Sequence, residues 1–558
     1  MIKFFKQNWP LLLVLALAAL LRFFRLGFNP PSLDWDEAAL GYNAYSILKT
    51  GRDEYGNLLP LIFKSFGDFK PGLYVYLCLP FVAIFGLSEI AVRFPSAILG
   101  VGTVWLLYLV VSKLYPQQAS LKAKIRYPFS LAASFVLAVM PWHLQFSRGG
   151  WEANVALFFL LLGFYLFLTA LKKPKWLLFS AFSFGLTLLT YQSSKMITPL
   201  FLFGLFLFFR KEIKKIPLKF LLTSLAIILI VCLPIIWSSF SAGNRLKVMS
   251  LFSYPRGNEE INQILKEDNN NKIYFKIYHN DSLSLGRGFL ERYFNHFSGK
   301  FLFFEGDWSS ARHGAPYVGV LYYIDIVFLL AGFWFLISQK KNSSGFLWYW
   351  LLISPLPAAL SRDSIHAVRS LNMVLPLAII IGAGIFQIHN LLKKRKVFIR
   401  LFLLAMILGF YSWCLLYYFD QYYTHYPLKS SQYWQYGYKQ LVNKVAPNKN
   451  NYERIIFTTE YGQPYIYWLF YSRYDPKSYQ AKARLTENQW GDVGSVDKLD
   501  NIEFRELYWP SDRSLPKSLF IGTEEEIPLK DIDPNQSRIL DEIFFLNGKV
   551  AFRVMETL

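Results

Sequence analysis

The sequence predicts an α-helical polytopic membrane protein, and three observations carry that reading. Hydrophobic residues make up 54% of the 558 positions and aromatics 18%, against 17% charged, a balance that excludes a disordered chain. The apolar residues fall in runs close to the roughly 20 needed to cross a bilayer. The charges avoid those runs and segregate by sign between the loops. The net charge of +21 therefore describes topology and not nucleic-acid binding.

The runs at 9–28, 94–113, 128–147, 155–171, 176–191, 196–209, 218–240, 317–338, 346–360, 369–391 and 398–420 are eleven predicted spans. The first follows Lys3 and Lys6 and has no small-residue cleavage site, so it reads as a retained helix. The stretch Leu73 to Leu87 is short and gives way to Ser88 and Glu89. Basic clusters then fix the register. They are Lys113 with Lys122, Lys124 and Arg126; Lys172, Lys173 and Lys175; Arg210 to Lys219; Lys340 and Lys341; and Lys393 to Arg400. The positive-inside rule puts all of them in the cytoplasm if Leu73–Leu87 does not cross but lies along the outer interface. The N-terminus is then inside and the C-terminus outside. Pro355 and Pro357 predict a kink in the span 346–360.

Residues 1–420 form the predicted membrane core, with an outer loop at 29–93 and a large outer loop at 241–316. Residues 421–558 form a predicted small extracytoplasmic α/β domain. Within it, 435–445 and 463–472 read as helices and 454–459 and 518–522 as strands. The Leu546-Asn547-Gly548-Lys549 stretch reads as a hairpin turn. Cys78, Cys232 and Cys414 all sit in apolar runs and show neither metal spacing nor a disulfide framework.

With this topology the acids gather on the face opposite the basic loops. Asp34-Trp35-Asp36-Glu37 follows the first span, and Asp53, Glu54, Asp68 and Glu89 share its loop. Acidic groups crowded at a bilayer surface bind a cation, take a proton or hold a polar substrate; the alternative is an interfacial helix cap, which Asp34 suits best. Three further features join them. These are Gly67-Asp68-Phe69-Lys70-Pro71-Gly72, Ser147-Arg148-Gly149-Gly150-Trp151-Glu152, and Gly306-Asp307-Trp308 with Arg312-His313.

This arrangement resembles the C-type integral-membrane (GT-C) glycosyltransferases, in particular the protein O-mannosyltransferase family and the bacterial lipid A aminoarabinose transferases. Asp36-Glu37 matches the acidic pair of the family's first outer loop, and Lys70-Pro71 its Lys-Pro element. Arg93-Phe94-Pro95-Ser96 resembles the opening of the next span, and Ser147-Arg148 followed by Glu152 the second-loop Ser-Arg and acid. The resemblance covers about 1–420 and is densest over 30–160. It implies a polyprenyl-phosphate-linked sugar donor, an active site on the extracytoplasmic face of a bacterial inner membrane, and inversion at the anomeric carbon. It makes Asp36 the base, with Glu37 and Glu152 orienting the acceptor or a cation, and it sets Lys70 against the donor phosphate. The sequence departs from the family in Glu152, one methylene longer than the usual Asp, and in Gly72 after Lys-Pro. The acid that precedes Lys-Pro in the aminoarabinose branch is Phe69 here, so that branch's metal site does not carry over. A divalent metal on Asp36, Glu37 and Glu152 stays open.

Lys195, Arg369 (with His366), Arg312 and His313 are further candidates for the donor phosphate. Against them stand an interfacial anchor for Lys195 and a solvated loop for Arg312-His313. Arg93 reads as structural, pinning the interfacial segment. The expected partners are the donor, membrane lipids and an acceptor lipid, glycan or protein, with no nucleic acid. An O-antigen polymerase or ligase would lean on Arg and His in the large loop, and a transporter would favour ionisable residues inside the spans.

Overall fold

The computed structural model describes residues 2–66, 68–116, 128–241, 256–339, 341–482, 484–487 and 494–557. Lys122, Lys124, Arg126, Lys340 and Gly67 lie outside the described residues. The first half of the chain is a run of helices: α1 (Ile2–Phe23), α2 (Trp35–Thr50), α3 (Leu73–Phe85), α4 (Glu89–Leu114), α5 (Pro128–Val139), α6 (Pro141–Ser147), α7 (Glu152–Ala170), α8 (Trp176–Leu188), α9 (Ser194–Ile213) and α10 (Leu218–Ser241).

Among the described residues five helices are long and apolar enough to cross a membrane: Glu89–Leu114, Glu152–Ala170, Leu218–Ile235, Leu371–Lys393 and Val397–Ser430. The predicted span 128–147 is a pair, α5 and α6, bent by 59° where Pro141 interrupts the ladder. The predicted span 346–360 ends early. Its helix Asn342–Ile353 stops before Pro355, and only a short turn, Leu356–Ala359, follows. Several other predicted spans appear as shorter apolar helices, among them Trp176–Leu188 and Asp325–Ser338. Eleven full-length spans are thus a finer count than helix length alone supports. Helix α3 has 13 residues, about 20 Å of rise, too short to cross a hydrocarbon core of about 30 Å.

Two buried arginines join the helix ends. Arg148 donates to the carbonyls of Leu21 at 2.5 Å, Arg22 at 3.2 Å, Phe24 at 2.8 Å and Asn29 at 3.0 Å. It therefore closes the C-terminal end of α1, where a cation complements the unpaired carbonyls. Arg22 does the same for α5, donating to Ala138 O at 3.0 Å and Leu137 O at 3.4 Å, and it lies 2.6 Å from His143 Nδ1.

The C-terminal region pairs β4 (Leu485–Glu487) with β5 (Gly494–Val496) and builds a six-stranded sheet from β3 (Arg454–Phe457), β6 (Lys498–Leu499), β7 (Ile502–Phe504), β8 (Ser518–Gly522), β9 (Ser537–Phe544) and β10 (Val550–Thr557), in the order β6-β7-β3-β8-β10-β9. The hairpin at Asn547-Gly548 joins β9 to β10, and helices Tyr438–Val445 and Pro464–Tyr471 fall where the sequence expects them. One apolar core runs from this sheet into α2, α3 and the start of α4. Gly41 permits the contact: a Cβ there would lie 2.5 Å from the Phe470 ring. Gln480 bonds Asp53 O at 2.8 Å and Lys439 bonds Glu89 at 2.9 Å. The loop carrying the acids is therefore held between the helical bundle and the sheet.

Candidate active site

Asp34 begins the site by ending the loop. Its carboxylate accepts from Glu37 N at 2.8 Å, capping α2 as the alternative reading has it. Its other oxygen accepts from Arg312 Nη1 at 2.6 Å, and that guanidinium lies over the Trp35 ring at 5.4 Å. Burial pushes the Asp34 carboxyl up to about 6, against the opposing pull of Arg312.

Two positions on, Asp36 points elsewhere. Lys70 Nζ donates to it, from a hairpin of β1 (Ile62–Ser65) and β2 (Asp68–Pro71) whose register sets Lys70 opposite Phe63. Gln192 donates to Phe69 O at 2.7 Å and steadies that hairpin from the loop before α9. Asp36, Asn43, Ser65, Lys70 and Glu152 line one small pocket of about 20 Å³. Burial would lower the Lys70 ammonium, but the Asp36 and Glu152 carboxylates hold it above its ordinary value.

Glu37 is turned away from the pocket. Arg93 grips it with two bonds of 2.9 Å, and Gly150 N donates to it at 2.6 Å. A Cβ on Gly150 would sit 3.0 Å from the Glu37 side chain. Arg93 also donates to Leu26 O at 3.2 Å, Pro30 O at 2.8 Å and Ser32 O at 2.5 Å. The pair is buried on both sides. It pins the segment leading into Asp34 and Asp36, while Arg93 and Gly150 hold Glu37 out of the pocket.

The remaining candidates lie around this centre. Arg369 pairs with Asp363 at 3.2 Å. Arg369 does not line the pocket of Asp36, Lys70 and Glu152. Lys195 is exposed in the first turn of α9 and does not line the pocket. His313 is buried and bonds Asp307 through Nδ1 at 2.7 Å.

The sequence left a metal on Asp36, Glu37 and Glu152 open. Asp36, Glu37 and Glu152 do not converge as a cage, because Arg93 and Gly150 hold Glu37 back. Among the described residues, ligand atoms of Asp307, His313 and His366 do come within 4.8 Å of one another. That trio is already hydrogen-bonded: the Asp307 carboxylate takes His313 Nδ1 and Ala367 N at 2.7 Å each, and Ser309. Burial alone would raise Asp307, but His313 and these donors hold it below the usual carboxylate range. Burial and the Arg369 charge keep His366 well below the usual imidazole range. A cation entering there would have to displace those bonds. The sequence named Asp307 and His366 singly but gave no sign that loops 60 residues apart meet.

Comparison with known proteins now bears on this geometry. Residues 70–237 match the model of the dolichyl-phosphate-mannose-protein mannosyltransferase family. The putative mannosyltransferase YkcB of Bacillus subtilis (strain 168) is 33% identical over 167 residues, which is 29% of this chain and 22% of that protein. The chain thus spans about a fifth of the length of the curated relative it matches. The crystal structure of ArnT from Cupriavidus metallidurans superimposes with a TM-score of 0.56 in the apo state and 0.54 bound to undecaprenyl phosphate, at 10% identity and over 98% of both chains. The fold is therefore that of the GT-C integral-membrane glycosyltransferases. The segment from Lys70 through Arg93 and Glu152 into α10 is the part that resembles the mannosyltransferases in sequence.

Proposed function

We propose that this chain is a membrane glycosyltransferase that moves one sugar from a polyprenyl-phosphate donor to an acceptor on the extracytoplasmic side, with inversion. The observation that carries the reading is the single pocket in which Asp36, Lys70 and Glu152 meet. The acceptor hydroxyl attacks the anomeric carbon and passes its proton to Asp36. The bond from that carbon to the phosphate oxygen breaks, and polyprenyl phosphate leaves with its growing negative charge against Lys70. Lys70 now answers Asp36. A donor phosphate offers it a stronger anion, and the exchange both opens the pocket and releases the carboxylate to act as base. Glu152, at the first turn of α7, orients the acceptor. Arg369, now paired with Asp363, is the second cation for the phosphate.

The eleven-span layout belongs to this proposal, with residues 1–420 as the membrane core and 421–558 covering its outer face. The short α3 and the sign of the loop charges support it. The fold shared with an undecaprenyl-phosphate-bound ArnT supports a lipid-linked donor. The test is reconstitution of the purified chain in nanodiscs with a radiolabelled polyprenyl-phosphate sugar and an envelope-lipid extract as acceptor. Release of polyprenyl phosphate with label in a new glycan is the expected result. Label that crosses the bilayer still attached to its lipid would mark a transporter instead.

A further inference from the structure

A second cleft, about 520 Å³ in volume, lies between the end of α1 and the C-terminal region. One wall is the segment 25–32, with Arg25, Phe28 and Asn29. The other is the helix Tyr438–Val445, with Lys439, Gln440 and Asn443. Glu89 lines it too, but Lys439 Nζ holds both its oxygens, at 2.9 and 3.1 Å, so that pair adds no net charge. Arg25 is exposed and has no ion pair among the described residues. The cleft therefore offers one unneutralised guanidinium beside the carboxamides of Gln440 and Asn443, while the buried Asn29 amide already donates to Tyr422 O at 2.7 Å. The cleft's mouth opens beside the end of α1, an apolar helix whose neighbouring Phe24 and Phe28 rings are 52% and 72% exposed, which suits an edge at the bilayer surface.

We infer that this cleft binds the anionic, phosphate-bearing headgroup of a bilayer lipid. Arginine is suited to phosphate oxygens, with which it makes charge-assisted bonds. The Gln440 and Asn443 amides match the ester and hydroxyl groups of a headgroup, and the exposed phenylalanines give the acyl chains a surface to lie on. A volume of this size falls in the range of small-molecule sites. The occupant would brace the segment 25–33, which Arg93 already ties to Glu37 and which leads into Asp34 and Asp36. The inference rests on α1 ending at a bilayer surface and not on the sugar-transfer reading.

The test is photocrosslinking from p-benzoylphenylalanine at position 28 of the full chain, in nanodiscs containing equal mole fractions of phosphatidylglycerol and phosphatidylcholine, each labelled in turn. Phosphatidylglycerol should crosslink about fivefold more than phosphatidylcholine. Arg25→Gln should abolish that preference, Arg25→Lys should restore most of it, and Asn443→Ala, on an exposed position, should weaken it without affecting folding. Soluble glycerol phosphate at millimolar concentration should not compete. Equal labelling by both lipids, or a preference that survives Arg25→Gln in protein that elutes as wild type, would overturn the inference; competition by glycerol phosphate would overturn the lipid as its source.

Discussion

Asp36 and Glu37 are neighbours in sequence with opposite fates, and the difference is local geometry. Asp36 faces Lys70 and the pocket, while Glu37 faces Arg93 and two glycines. Removing Arg93 leaves a buried carboxylate and three carbonyls without their donor. Arg93→Ala should therefore cost about 3–5 kcal/mol of stability, seen as a large drop in thermal midpoint in detergent. A midpoint unchanged from wild type would mean that the pair does not hold the segment. Lys70→Ala should instead leave the midpoint near wild type and lower kcat/KM for the lipid-linked donor by roughly ten- to a hundredfold, the worth of one charge-assisted bond. Unchanged kinetics would remove Lys70 from the phosphate. The convergence of Asp36, Lys70 and Glu152 was readable in the sequence because charge is scarce near a bilayer and these residues stand at the mouths of apolar runs. The Glu37–Arg93 grip was not, since a contact across 56 residues leaves no local periodicity to read. Arg148, read beside Ser147 as part of a site motif, turns out to close the end of α1.

At the scale of the element, α2 is the piece that links bundle, pocket and sheet. Asn43 on its inner face exchanges hydrogen bonds with Glu54, 3.0 Å in each direction. Burial drives the Glu54 carboxyl up to about 8, against the Asn43 hydrogen bond and with help from Asp53. The native state thus keeps a proton that the unfolded chain loses near 4.5. Between those values the native state binds more protons, so stability falls as pH rises through the window and levels off above about 8. Glu54→Gln should flatten the thermal midpoint between pH 5 and 8, measured by scanning fluorimetry; a profile as steep as wild type would show that Glu54 is not the group. Helix positions were largely legible from apolar runs. Their ends were less so: Pro141 bends a helix at a point that hydropathy passes over, and the kink expected at Pro355 is a full stop after Ile353.

At the scale of the whole molecule, the proposed topology rests on the charge partition, and the sheet of the C-terminal region packs on the acid-bearing loop. Cysteines introduced at Ser120 and Ser514 should label from opposite sides of the membrane; labelling from one side would undo the eleven-span layout. The fold class followed from composition and run length, and the mixed helix and strand character of 421–558 from short alternating runs. That this region packs against α2 and α3 could not be foreseen, because its contacts rest on surface shape at residues such as Gly41 and Phe470. The central claim is that Asp36 takes the acceptor's proton while Lys70 receives the donor phosphate. The most direct measurement is sugar transfer by purified Asp36→Asn in nanodiscs, beside its affinity for the lipid-linked donor. Transfer should fall by about 10²–10⁴-fold with donor affinity kept or raised, since Lys70 loses its internal carboxylate. Turnover near wild type in Asp36→Asn would contradict the account and move the base to Glu152.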